Sequence, residues 1–201
     1  MDKDVILVGG FHEMIELCEK AGYNIVGIID GQLQDSYFGY SVIGSDTDAE
    51  VLFPNYGKYK LVLTPDSPKI REKLVNLYEP LGYDFATIIS PKATISKFST
   101  VGKGTIIQDG VNISACTTIG NYVKLNVNCN VIHDNVISDY VTIAPSAVNL
   151  GRITVGRSSY IGANATILPE VRIGHHSTVG AGAVVTKDID DNKIVKGVPA
   201  K

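Results

Sequence analysis

From Ala93 to Lys187 an aliphatic residue returns at every sixth position. The series runs Ile95, Val101, Ile107, Ile113, Ile119, Leu125 and on to Val185, and only Asn149 departs from it. A second column two residues earlier is mostly small or β-branched, as in Ala93, Ser99, Thr105, Val111 and Thr117. A fixed six-residue period is the signature of a parallel β-helix. Each hexapeptide supplies one short strand and a turn. Three make a triangular coil, so residues eighteen apart stack. The aliphatic column then fills the prism and the smaller column fits its corners. Glycine often follows the aliphatic position, as at Gly102, Gly120, Gly156 and Gly174, where a bend in the chain is expected. Every coil buries its face against the next, so stability is nearly one-dimensional. The whole series stays in phase without a slip, which sets it apart from a β-sandwich.

The residues before the repeat follow a different rhythm. DVILVGG (residues 4–10) reads as a buried strand ending in glycines. Residues 11–21 follow as a helix with Phe11, Met14, Ile15 and Cys18 on one face. NIVGIID (24–30) is a second buried strand, completing a βαβ unit. A loop with Tyr37, Phe38 and Tyr40 leads to KLVLT (60–64), a third strand. Ser67 is expected to cap a helix with Pro68 at its first position and Ile70, Leu74, Leu77 and Leu81 on its apolar face. DFATIIS (84–90) is expected as a fourth strand. The expected architecture is an α/β, Rossmann-like domain over residues 1–88, followed by an all-β parallel β-helix over residues 89–201.

Ligands of such α/β sheets sit at the carboxyl ends of the strands. Those ends are Gly9, Gly10 and Phe11, then Asp30 and Gly31, then Thr64. The Gly9-Gly10 pair is expected to let backbone approach a ligand, and Asp30 to accept hydrogen bonds from a base or ribose. His12, in the first turn of the first helix, is a further contact candidate. The full G-x-G-x-x-G fingerprint is absent, which argues against a dinucleotide cofactor.

Within the repeat, LNVNCNVIHDNVISD (125–139) is unusual, with four asparagines, His133, Asp134 and Asp139. The positions eighteen before and after His133 are Ala115 and Gly151. The imidazole therefore stacks between tiny residues, which leaves a cleft beside it. The missing aliphatic at Asn149 falls one coil further on, where an entrance for a ligand is expected. His175 and His176 read as solvated turn residues.

Composition narrows the partners. A net charge of −3 gives no reason to expect nucleic acid or an anionic membrane surface. No apolar run approaches the roughly 20 residues that span a bilayer, and the first residues do not read as a signal peptide. Cys18, Cys116 and Cys129 are an odd set without metal-ligand spacing and are expected as small core residues. A cytoplasmic location is the expectation. A zinc hydratase on a β-helix would need three histidine ligands. His133 and His175, two of the only three in the repeat, stand forty-two residues apart, so no metal is expected.

Several stretches together resemble a known family. These are the βαβ start, Leu125 to Asp134, GANATILPEVRIG (162–174), VGAGAVVTKD (179–188) and KGVPAK (196–201). They resemble the two-domain left-handed β-helix acyltransferases of bacterial sugar biosynthesis, the PglD-type nucleotide-amino-sugar N-acetyltransferases and NeuD-type sialic acid O-acetyltransferases. The resemblance covers the whole chain. It implies a homotrimer with active sites between neighbouring β-helices, a nucleotide-linked amino sugar held by the N-terminal domain, and acetyl-CoA along the helix groove. It implies His133 as the catalytic base, Asp134 as its acid partner and Asn126 near the sugar amine. It further implies acetyl-CoA contacts at Thr142, Gly151, Ala163 and Ala181, and nucleotide-sugar contacts at Gly10, Phe11, Asp30, Gly31 and Thr64. The chain departs from the family at the shortened loop Gly9-Gly10-Phe11-His12, at Asp30-Gly31, at Thr64 and at Thr142. Three readings follow: acetyl transfer to an amine, acetyl transfer to a hydroxyl, and a catalytically silent nucleotide-binding scaffold.

Overall fold

A computed structural model describes residues 3–201. The repeat forms three stacks of two-residue rungs, parallel sheets of six, five and seven strands. Rungs eighteen residues apart lie in register: Asn112 pairs with Asn130, Thr118 with Val136 and Lys124 with Thr142. The arrangement fits a left-handed parallel β-helix with hexapeptide repeats. The aliphatic column packs as one continuous core from Ile107 to Val195.

From Val101 to Val179 the chain bends at the third residue after each column position, not at the glycines that directly follow it. Asp134, Tyr140, Ser146 and Arg152 all take left-handed φ values, from 59° to 61°. Such a conformation costs a non-glycine residue roughly 1–2 kcal/mol. Each of these residues offsets it with an N–H bond to the preceding coil, as in Asp134 N to Ala115 O at 3.1 Å and Arg152 N to His133 O at 3.0 Å. The glycines after the aliphatics have another cause. A Cβ on Gly156 would lie 2.6 Å from the backbone of Gly174, and one on Gly102 2.5 Å from that of Gly120. Successive coils pass too closely there for a side chain.

The corner column does more than fit. The Thr105 hydroxyl donates to Gly120 O and accepts from Val123 N, and Ser159 does the same with Gly174 O and Ser177 N. These hydroxyls satisfy backbone groups at the corners, where burial without a partner is costly. Asn135 follows suit, accepting from Ile153 N at 2.6 Å.

The N-terminal α/β unit comprises β1 (Asp4–Val8), α1 (His12–Lys20), β2 (Asn24–Ile29), β3 (Ser36–Tyr37), β4 (Tyr40–Gly44), α2 (Ala49–Tyr56), β5 (Lys60–Leu63) and α3 (Pro68–Tyr78). Its strands lie in the order β3-β4-β2-β1-β5, parallel except for the β3–β4 hairpin. The stretch expected as loop thus contributes two strands and a helix. Phe11 precedes α1 in extended conformation instead of joining its buried face, where Leu17 lies with Met14, Ile15 and Cys18. The expected face of α3 holds only at Leu74, which is buried with Arg71, Val75 and Tyr78, while Ile70 and Leu77 face out. Ser67 makes no side-chain cap, although Pro68 does open the helix. The expected fourth strand divides: Phe85 makes a single bridge to Leu61, whereas Ile88–Ile89 forms the first rung of the prism. Cys116 is exposed at a corner, unlike Cys18 and Cys129.

Candidate functional site

His133 sits in the corner between rungs Asn130–Val131 and Val136–Ile137. The left-handed turn at Asp134 brings its carboxylate back to the ring, with Nδ1 and Oδ2 2.8 Å apart. An ionised carboxylate only accepts, so this contact holds the proton on Nδ1 and leaves the Nε2 lone pair free. Both side chains are about half exposed. The ring rests on Gly151, where a Cβ would meet Cε1 at 2.6 Å and Nε2 at 2.8 Å. The stacking expected from the eighteen-residue period is therefore present, and Gly151 is small because the imidazole occupies its side-chain space. The expected entrance at Asn149 is not. Asn149 is fully buried in the prism, its Nδ2 donates to Asn130 O at 3.3 Å, and its Oδ1 has no partner.

The other candidates gather at the carboxyl ends of the α/β sheet. A cleft of about 400 Å³ opens there, lined by Val8, Gly9, Asp30, Gly31, Pro65 and Ile70 among others. It lies where the strand order reverses beside β1, the usual ligand crevice of an open α/β sheet. Asp30 organises its rim. Oδ2 accepts from Gly10 N at 2.8 Å, and Oδ1 accepts from Gln32 N at 2.8 Å and Leu33 N at 3.3 Å. Its carboxylate ties two loops together instead of standing free for a base or ribose. The glycine pair is likewise crowded by protein. The missing Cβ of Gly9 would meet Thr64 Oγ1 at 2.4 Å, and that of Gly10 would meet Leu33 Cδ1 at 2.2 Å. Thr64 is buried, its hydroxyl 2.9 Å from both Val8 O and Gly9 O. His12 lies near Phe38, with ring centroids 5.6 Å apart, and its Nδ1 is 3.4 Å from the Tyr37 hydroxyl.

Asn126 and Thr142 meet at a residue that the sequence reading missed, Asp66, in the link between β5 and α3. The Thr142 hydroxyl donates to Asp66 O at 2.7 Å and is wholly buried. Asn126 Nδ2 donates to Asp66 Oδ1 at 3.0 Å, and the Tyr160 hydroxyl donates to Oδ2 at 3.1 Å. Lys124 Nζ donates to Thr64 O at 2.7 Å, stands 3.7 Å from Asp66 Oδ1 and lies 5.7 Å from the Phe11 ring centroid. Burial lowers the Lys124 amine to about 8, against the opposing pull of Asp66. Arg71 is buried beside them and donates to the carbonyls of Tyr122, Tyr140 and Val141. Lys124, Thr142 and Tyr160 form one column, eighteen residues apart, along the outside of the β-helix. That column was legible in the periodicity. Its partner was not, because the α/β unit carries no repeat.

Ala163 and Ala181 stack on the corner that follows Asn126, with Gly182 N bonded to Ala163 O at 2.8 Å. One chain thus carries two separate sets. His133, Asp134 and Gly151 occupy one corner of the prism. Asn126 and Thr142 lie against the Thr64–Asp66 end of the α/β sheet beside another, on which Ala163 and Ala181 stack further along the prism. Among the described residues no three histidines, cysteines or carboxylates are grouped to hold a metal ion. No helix among them is long and apolar enough to cross a membrane.

Residues 152–187 match the bacterial transferase hexapeptide family (six repeats). The resemblance to nucleotide-amino-sugar N-acetyltransferases extends over the whole chain in solved structures. A histidine-to-alanine mutant of GDP-perosamine N-acetyltransferase from Caulobacter crescentus, in complex with CoA and GDP-perosamine, is 28% identical with a TM-score of 0.93, over 98% of this chain and 95% of that one. The acetyltransferase domain of PglB from Neisseria gonorrhoeae, in complex with acetyl coenzyme A, is 29% identical with a TM-score of 0.92, over 100% and 99%. WeeI from Acinetobacter baumannii is 28% identical with a TM-score of 0.88, over 98% of each chain. No curated protein matches the chain by sequence.

Proposed function

We propose that the protein is an acyltransferase that moves the acetyl group of acetyl-CoA to the amine of a nucleotide-linked 4-amino-4,6-dideoxysugar, with His133 as general base. The observation that carries this is the His133 imidazole laid on Gly151, with Nδ1 held by Asp134 and Nε2 left free. The ligands of the Caulobacter and Neisseria structures support both co-substrates. In this reading residues 1–88 act as a Rossmann-like nucleotide-sugar-binding domain and residues 89–201 as the acyltransferase domain. The cleft beside Gly9, Asp30 and Gly31 takes the nucleotide. The CoA chain runs past Gly151, Ala163 and Ala181. Because the base and the substrate set lie at different corners of one prism, the complete site forms between protomers of a homotrimer.

The chemistry needs no covalent intermediate. The neutral amine attacks the thioester carbonyl and forms the C–N bond. Nε2 of His133 takes the amine proton, and the Gly151 N–H donates to the developing oxyanion. The C–S bond then breaks and the sulfur leaves as CoA, protonated through the imidazolium. General base catalysis of this kind contributes about 10²- to 10⁴-fold. The test is His133→Ala with acetyl-CoA and a panel of nucleotide-linked amino sugars. The expected result is a loss of turnover in that range, with calorimetric binding of both co-substrates retained. Wild-type turnover in the variant would remove His133 from the mechanism, and transfer only to hydroxyl acceptors would move the activity to O-acetylation.

A further inference from the structure

Asp134, Arg152 and Glu170 stand at the same point of three successive coils, with φ of 60°, 60° and 68°. Ladder bonds fix the stack: Arg152 N donates to His133 O at 3.0 Å, and Glu170 N to Gly151 O at 3.0 Å. Coils lie about 4.8 Å apart, so the Arg152 guanidinium has a carboxylate one coil away on either side. It takes only one of them. Nε donates to Glu170 Oε1 at 3.0 Å, and Nη2 lies 2.8 Å from the same oxygen. The Asp134 carboxylate is left with one hydrogen-bonded partner among the described residues, the His133 ring at 2.8 Å. The Arg152 and Glu170 side chains are both exposed, and a pair of that kind adds little to stability. Its effect falls on the neighbouring carboxylate instead. A guanidinium binds a carboxylate more strongly than a neutral imidazole does, because that bond is charge-assisted at both ends. Arg152 on Asp134 would compete for the carboxylate that holds the proton on Nδ1. It would also offset the negative charge that favours the imidazolium formed during transfer.

We propose that Glu170 is a positioning residue for the base: it draws the Arg152 guanidinium to the next coil and so reserves the Asp134 carboxylate for His133. The inference rests on the acetyltransferase reading above, with His133 as base. Glu170 touches no reacting atom in it and acts through Arg152 and Asp134.

Steady-state kinetics with acetyl-CoA and a nucleotide-linked amino sugar test it. Asn suits the left-handed turn and is too short to hold the guanidinium, so Glu170→Asn releases Arg152. Its kcat is expected to fall about fivefold, with KM for both co-substrates within about twofold of wild type. Arg152→Ala removes the competitor and is expected to turn over at the wild-type rate. The double variant Glu170→Asn/Arg152→Ala is expected to return to that rate, a restoration that loss of a merely structural contact would not show. NMR shifts of the ring nitrogens give a readout apart from turnover. The neutral His133 ring is expected to carry its proton on Nδ1 in wild type and in the double variant, and to shift toward the Nε2–H form in Glu170→Asn. An unchanged kcat or an unchanged ring tautomer in Glu170→Asn overturns the proposal. So does an equal loss in Arg152→Ala, or a double variant as slow as Glu170→Asn. Should Glu170→Asn fail to fold, Glu170→Gln carries the same expectation and the same refutation. Wild-type protein that turns over no acceptor would refute the acetyltransferase reading itself, a distinct outcome, and the ring tautomers would still decide the pairing.

Discussion

A methyl group at position 151 would fall where the His133 ring lies, 2.6 Å from Cε1. The backbone at Gly151 does not take a left-handed φ, and the atoms in the way belong to a half-exposed side chain that can swing outward. Gly151→Ala is therefore expected to leave the melting point almost unchanged, within about 0.5 kcal/mol of wild-type stability. It is expected to lower kcat about 100-fold, because a displacement near 1 Å suffices for that loss. Thermal melting and steady-state kinetics on the same preparation check the pair. Normal turnover would show that the ring's seat is immaterial. This stacking was legible in the sequence because a strict period says which residues lie over one another. The burial of Asn149 ran against the reading, since a polar residue in an aliphatic column suggests an opening. Asn135 and Asn149 instead carry polar atoms within the prism: Asn135 Oδ1 accepts from Ile153 N and its Nδ2 donates to Asn149 O, while Asn149 Nδ2 donates to Asn130 O.

At the scale of elements the glycines of the repeat divide into two kinds. Gly156 has an ordinary backbone, but its Cβ would lie 2.6 Å from the next coil, and neither chain can give way without breaking ladder bonds. Gly182 has φ +67° and open space around it. Gly156→Ala is expected to cost about 2–3 kcal/mol as an overpacked contact, and Gly182→Ala only about 1 kcal/mol of left-handed strain. Urea denaturation of both variants checks the order; equal losses would show that bending, not coil spacing, selects glycine here. The rungs were predictable from periodicity alone. The face of α3 was not, because Arg71 reads as polar and yet is buried against carbonyls of the β-helix fifty-one to seventy residues away. Ile70 and Leu77, which follow the helical period just as well, face the solvent.

Across the whole molecule, the α/β unit and the β-helix meet over buried cations. Lys124 is charged in both folded and unfolded chains below about pH 8, and there the fold bears the cost of burying the charge. Between about 8 and its ordinary 10.5 the unfolded chain holds more protons than the folded one, so this group's contribution to stability rises with pH. Cys18, pushed up to about 12 mainly by burial, acts in the opposite sense above its ordinary 9.0. The useful quantity is therefore a difference. The melting point of wild type minus that of Lys124→Met is expected to increase from pH 8 to pH 10.5. A flat difference would show that the amine is solvated and the junction open. Nothing in the sequence announced this junction. Each side of it is ordinary by itself, and only the fold brings Thr64 and Asp66 against Lys124 and Asn126.

The column of Lys124, Thr142 and Tyr160 also settles a question of address. A rod of interchangeable coils offers the appended unit no preferred height, and a slip of one coil would leave the interior aliphatics matched as well as before. Three unlike side chains, converging on a single aspartate, act as a vernier along an otherwise uniform ruler. The far end of the rod is thereby released from any duty in alignment, so coils added or removed beyond Tyr160 would change its length without moving the unit.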